Sequence, residues 1–284
     1  GISRRIVLFA LTFVGHVRGG LGLVAIFASV VMAAISGSAA ADAAAIGTLL
    51  IPMMRQAGYD VPRAAGLISA GGVIAPVIPP SIGLIVFGVV ANVSIGKLFL
   101  AGIAPGLMMG VALVVTWLWV ARRDEVAVHP RQGWATRFWA FVEAFWALVM
   151  PFGIVGGLKF GVFTPTEAGV VAAVYALFVG LFVYRELKPG QVYGLFVAAA
   201  RSTAVVVFLI AAALISAWLI TLSELPGQVK AMLEPFMWNK TLLMFAIMVI
   251  VVVVGTALDF APTLMILTPV LMPIVREAGI DPVY

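Results

Sequence analysis

No charged residue stands between Lys97 and Arg122, and the stretch 98–120 between them is almost wholly apolar. As a helix rising about 1.5 Å per residue, such a run crosses the hydrocarbon core of a bilayer, which takes about 20 apolar residues. Runs at 139–157, 167–184 and 202–222 read the same way. A water-soluble domain could not cover this much apolar surface: the chain is 63% hydrophobic and 10% charged. Continuous runs, rather than short alternating segments, mark an all-α integral membrane protein and not a barrel. The net charge of +5 does not point to nucleic acid, because the basic residues lie between apolar segments. The chain has no cysteine, which excludes disulfides and thiolate metal sites. His16 and His129 both fall near arginines in loops, a poor start for a histidine metal centre. The first residue is Gly and the chain stops soon after Asp281-Pro282, so it reads as part of a longer protein lacking both ends.

Two segments are alike. Ile51-Pro52-Met53-Met54-Arg55-Gln56-Ala57-Gly58-Tyr59-Asp60 matches Met272-Pro273-Ile274-Val275-Arg276-Glu277-Ala278-Gly279-Ile280-Asp281, with Pro, Arg, Ala, Gly and Asp in register. Each copy follows an apolar stretch with one acid in it, Asp42 or Asp259. Residues 20–35 and 43–54 flank Ser36-Gly37-Ser38; residues 241–254 and 262–275 flank a turn containing Thr256. Each arm is too short to span, so each pair reads as a re-entrant hairpin, at about 20–57 and about 241–276. One long helix with small residues at a helix contact is the plainer reading of the first pair. Residues 2–15, led by Arg4 and Arg5, read as an interfacial amphipathic helix. Trp117 and Trp119 read as interfacial anchors.

Residues 64–78 run into Pro79-Pro80-Ser81, where two missing N–H donors must break the helix before it resumes at 82–91. Freed backbone groups at membrane depth are tolerated where they line a cavity or meet a ligand. With the first hairpin opening inward, the inside loops collect Arg4, Arg5, Arg18, Arg55, Arg63, Arg122, Arg123, Arg131, Arg137, Arg185 and Lys188. Lys97, Lys159, Lys230, Lys240 and Arg276 fall outside. This bias obeys the positive-inside rule and sets the two hairpins on opposite faces, an inverted repeat. Residues 190–200 read as a surface segment preceding the span at 202–222.

Asp42 and Asp259 are the intramembrane acids, and a charge there is a functional-site hypothesis. The competing role is that each caps its second arm. Ser36, Gly37, Ser38 and Thr256 surround them, with Pro79, Pro80 and Ser81 at the break. Such hard oxygen donors suit an alkali cation, and the arm N-termini suit a carboxylate. Glu143 either pairs with Arg137 or meets another helix.

Gly15-His16-Val17-Arg18-Gly19-Gly20-Leu21, Ile35-Ser36-Gly37-Ser38-Ala39-Ala40-Ala41-Asp42 and Ile78-Pro79-Pro80-Ser81 together resemble the large membrane subunit of tripartite ATP-independent periplasmic (TRAP) transporters. Phe163-Thr164-Pro165-Thr166-Glu167-Ala168 and Leu267-Thr268-Pro269-Val270-Leu271-Met272-Pro273 extend the likeness over nearly the whole chain. The resemblance implies an elevator-type, sodium-coupled importer of organic acids such as C4-dicarboxylates in the bacterial inner membrane. It implies two partners: a small membrane subunit and a periplasmic substrate-binding protein. It implies no bound cofactor, only Na+ as coupling ion, with Ser36, Ser38, Pro79 and Ser81 near one sodium site and Thr256 to Asp259 near the second. On that pattern, 1–120 is a first repeat with its interfacial arm, hairpin, broken helix 64–92 and span 98–120. A cytoplasmic loop follows at 121–137, then scaffold and arm helices at 138–222, and a truncated second repeat at 223–284. The family's second Pro-Pro break would come after Tyr284, so the stretch alone is not expected to transport.

Other classes fit less well. An anion/sodium symporter without a binding protein shares the architecture. An intramembrane aspartyl protease using Asp42 and Asp259 would want a Tyr-Asp on one helix and Gly-x-Gly-Asp on the next, yet Asp259 follows Thr-Ala-Leu and Tyr59-Asp60 lies at a basic helix end. No nucleotide motif supports an ATP-driven permease.

Overall fold

Ser38, Asp60, Thr164 and Asn239 each cap the start of a helix, and proline or glycine stands near most places where one ends. The computed structural model describes residues 2–122, 126, 130–223, 225–258 and 260–283. Among them every regular element is helical. In chain order the α-helices are α1 Ile2–Val14, α2 Gly20–Ser36, α3 Ala39–Gln56, α4 Val61–Gly72, α5 Ile82–Ala91, α6 Ile95–Ala121, α7 Trp134–Lys159, α8 Pro165–Phe178, α9 Pro189–Leu222, α10 Leu225–Leu233, α11 Lys240–Gly255 and α12 Phe260–Glu277. A π-helical turn, Val179–Val183, extends α8. Among the described residues, five helices are long and apolar enough to cross a membrane: α6, α7, α8 with its π turn, α9 over Pro189–Ser216, and α12. The protein is therefore an all-α, multi-span membrane protein.

The helix starts show why the boundaries fall where they do. Asp60 caps α4, its side chain accepting from Arg63 N–H at 3.3 Å. Asn239 caps α11 by accepting from Thr241 and Leu242. Thr164 opens α8 in a capping box: Glu167 N–H donates to its hydroxyl, and its own N–H donates to the Glu167 carboxylate at 2.7 Å.

The repeated decapeptide forms the same helix ending twice. Tyr59 N–H donates to Met54 O and Gly58 N–H to Arg55 O; Ile280 N–H donates to Val275 O and Gly279 N–H to Arg276 O. Gly58 and Gly279 have φ of +88° and +65°, the left-handed conformation that such a C-terminal motif places on glycine. Asp60 and Asp281 then each accept from a backbone N–H of the next segment.

The chain divides into two units, Gly1–Ile82 with Phe99–Pro189, and Gly83–Leu98 with Gly190–Tyr284. In the first, Ile6 and Ala10 of α1, Val24 and Ala28 of α2, Leu50 of α3 and Ile68 of α4 share one core. Trp117 of α6 joins them and is 3% exposed. It is not an interfacial anchor. Its indole N–H donates to Gly19 O at 2.8 Å, and its ring covers Gly22 so closely that a Cβ there would overlap it. It also stacks on Tyr59. Trp119, two residues on, is exposed. In the second unit, Val86 of α5, Ala213 of α9 and Met265 of α12 form one cluster. Leu233, Leu243, Leu271 and Ile274 form another.

Three expectations change. Helix α4 stops at Gly72, well before Pro79. Residues 73–78 continue with shorter-range bonds such as Ile74 N–H to Gly71 O, because Gly71-Gly72 and Pro76 already weaken the ladder. Residues 190–200 are not a separate surface segment but the first part of the 34-residue α9. Residues 262–275, expected as a short arm, lie in the 18-residue α12, which is among the candidate spans.

Trp117→Ala is expected to destabilise the first unit by about 3 kcal/mol. Trp117→Phe, which keeps most of the ring volume, should cost only about 1 kcal/mol for the lost N–H donor. Thermal unfolding in detergent would compare the two.

Candidate functional site

Between α2 and α3 only Gly37 and Ser38 interrupt the helix. Gly37 has φ +62°, and its N–H donates to Ala33 O, closing α2. Ser38 is the cap of α3: its hydroxyl accepts from Ala41 N–H at 3.5 Å. Asp42 therefore does not cap the arm. Its Oδ1 accepts from Ser36 Oγ at 2.5 Å, a bond that reaches back across the turn, and Ser36 Oγ in turn accepts from Ser38 N–H. Asp42 is 1% exposed, and its Oδ2 is buried with no hydrogen-bond partner.

This tip rests on the proline break. A Cβ on Gly37 would lie 2.6 Å from Pro80 O and 3.2 Å from Ser81 Cα. Only hydrogen at that position lets two stretches of backbone meet. Ser81 is fully buried, and its hydroxyl donates to Pro76 O at 2.5 Å. The Pro79-Pro80 bond is cis. One turn further along, a Cβ on Gly72 would lie 2.7 Å from Ala39 O, and Ser29 of α2 packs directly on Gly71. The first unit thus brings together Ser36, Gly37, Ser38, Asp42, Pro80 and Ser81, with Pro79 next in chain. They present hydroxyl, carboxylate and carbonyl oxygens, with Asp42 and Ser81 buried and Ser36 and Ser38 half-buried. Hydroxyls that donate their hydrogen to one partner keep lone pairs for another. A buried carboxylate oxygen without a donor is costly until a proton or cation meets it.

The second tip is plainer. Thr256 closes α11, and its hydroxyl donates to Val253 O at 2.6 Å; it is exposed. Asp259 lies outside the described residues. Beside this tip a cavity of about 360 Å³ is lined by α11 and α12 with Phe87, and includes the buried Thr263 and Thr268. Thr263 did not stand out in the sequence, because an isolated hydroxyl in an apolar run carries no pattern, and Thr268 stood out only within the Leu267–Pro273 motif. Ser29 was missed for the same reason, and Pro76 because it acts through its main-chain carbonyl. Arg137 does not pair with Glu143. Its Nε–H donates to Thr12 O, while the Glu143 main-chain carbonyl accepts from Tyr184.

Residues 1–284 match the family described as "Tripartite ATP-independent periplasmic transporter, DctM component". The chain belongs to the DctM family. Its DctM relatives include the 2,3-diketo-L-gulonate TRAP transporter large permease protein YiaN of Escherichia coli (strain K12), 54% identical over the whole of this chain and 67% of that protein. A TRAP large permease protein of Haemophilus influenzae is 51% identical with the same coverage. The C4-dicarboxylate TRAP transporter large permease protein DctM of Pseudomonas aeruginosa is 34% identical over all of this chain and 66% of its own length. The chain thus spans about two-thirds of the length of these relatives. They are transporter permeases, and this DctM chain is not an enzyme. Asp60, of the Tyr-Asp pair that a protease would want within a helix, is an exposed helix cap.

Gly37→Ala tests the tip. The left-handed backbone costs a side chain about 1–2 kcal/mol, and the new methyl presses on Pro80 O. A fall in thermal stability beyond that of Gly66→Ala, where a Cβ meets nothing, is the expected outcome.

Proposed function

We propose that this chain is the large membrane subunit of a secondary transporter in the bacterial inner membrane that imports an organic acid against its gradient by coupling to Na+. The observation that carries this reading is the backbone contact of Gly37 with Pro80-Ser81 beside the unpartnered Oδ2 of Asp42. Ser36, Ser38, Pro79 and Ser81 supply the oxygen-rich set that an alkali cation needs. Asp42 supplies the charge. The N-terminus of α3 faces the same turn with its partial positive charge, which favours a carboxylate close to the cation. The second tip, Thr256 to Asp259, plays the matching part in the second repeat. The two hairpins enter the membrane re-entrantly from opposite faces and move as an elevator against a fixed scaffold.

A small membrane subunit and a periplasmic substrate-binding protein complete the assembly, and the latter selects the solute. The relatives' substrates, 2,3-diketo-L-gulonate and C4-dicarboxylates, support an organic acid without choosing one.

Reconstitution of the full-length complex with its binding protein in liposomes provides the test. Uptake is expected with an inward Na+ gradient and not with K+ alone; equal rates in the two buffers would remove the coupling. Asp42→Asn keeps the shape and removes the charge. A charge-assisted contact is worth about 1.5–3 kcal/mol, so initial uptake should fall at least about tenfold. An unchanged rate would reduce Asp42 to an acceptor for Ser36.

A further inference from the structure

A groove of about 580 Å³ runs along the first unit between α1, α2 and α6. Its walls are apolar throughout, with Phe9 and Phe13 from α1, Phe27 and Val30 from α2, and Leu107 and Val111 from α6. Gly110 also lines it, and α6 comes so near α2 there that a Cβ would lie 2.9 Å from Val30. With no polar side chain to bind it, water is a poor occupant, and a hydrocarbon chain is a good one.

A cation stands at the Phe13 end. The Arg137 guanidinium lies 5.4 Å from the Phe13 ring centroid and 5.3 Å from that of Trp134. Its Nε–H is held by Thr12 O at 3.2 Å. The guanidinium is thereby fixed while both terminal nitrogens make no hydrogen bond or ion pair among the described residues. Arg137 also stands in the first turn of α7, which begins at Trp134, on the side that the charge bias assigns to the cytoplasm, where the leaflet is anionic. An apolar trough ending at an oriented cation in the headgroup zone has the chemistry of a phospholipid.

We propose that this groove is a lipid site: one acyl chain of an anionic phospholipid of the inner leaflet fills it, and Arg137 binds the phosphate. Arg137 then anchors α1 through Thr12 and the lipid through its remaining donors. The site is separate from the α2–α3 tip.

The test uses the full-length complex in vesicles. Val111 is 63% exposed, so Val111→Cys in a cysteine-free background accepts a fluorophore at the mouth of the groove. Brominated phosphatidylglycerol and brominated phosphatidylcholine are then compared as quenchers. One basic group at the surface favours an anionic lipid by about fivefold, so that preference is expected, and Arg137→Gln should abolish it. Equal quenching by the two lipids would overturn the proposal. So would no quenching by either, which would mean that a partner helix or another part of the full-length chain covers the groove. The comparison of lipids in the unsubstituted Arg137 background stands even if Arg137→Gln fails to fold.

Discussion

A helix interrupted in an apolar surrounding leaves main-chain groups that no water can satisfy, and the first unit answers this by setting one interruption on another. Gly37 ends α2 and Pro80-Ser81 ends the turns after α4, and the two backbones touch because no side chain separates them. Everything near them follows from that contact. Ser36 reaches over the turn to Asp42, Ser38 takes the cap, and Ser81 bonds back to Pro76. Once these bonds are made, one carboxylate oxygen remains without a partner. The site is thus what is left over when the structural needs of two broken helices have been met.

The same unit depends on small residues wherever helices approach. In lipid, burial of apolar side chains gives helices little reason to associate, and close backbone packing takes over. Ser29 on Gly71, Ala39 on Gly72 and Trp117 on Gly22 are three such approaches. They hold α2, α3, α4 and α6 in the one arrangement that puts the tip on the break. Arg137 and Trp117 act at the edges of this frame, each by donating to a main-chain carbonyl at the end or start of a helix.

Legibility in the sequence varied with the kind of signal. The interruption at Ser36-Gly37-Ser38 and the irregular backbone at Pro79-Pro80 were readable because glycine and proline alter the backbone locally. The repeat was readable as well, and its glycines, Gly58 and Gly279, form matching helix endings. Asp42 was visible as an acid in an apolar run, but its role was not. Only a folded tip shows that Ser38 caps α3 and that Asp42 turns to Ser36. Trp117 was misjudged because a tryptophan near the end of a span resembles an interfacial anchor until Gly19 and Gly22 are seen beneath it.

By itself, the sequence determined that this is a helical membrane protein, where most of its helices begin, and which short segments carry polar chemistry. These depend on runs, caps and breakers, each acting within a few residues of itself. The tertiary structure alone decided that Gly37 meets Pro80-Ser81, that Ser29 and Trp117 lie under neighbouring helices, and that the Asp42 oxygen is left without a donor. Those outcomes depend on contacts between residues far apart in the chain, and no local pattern encodes which backbone will lie against which.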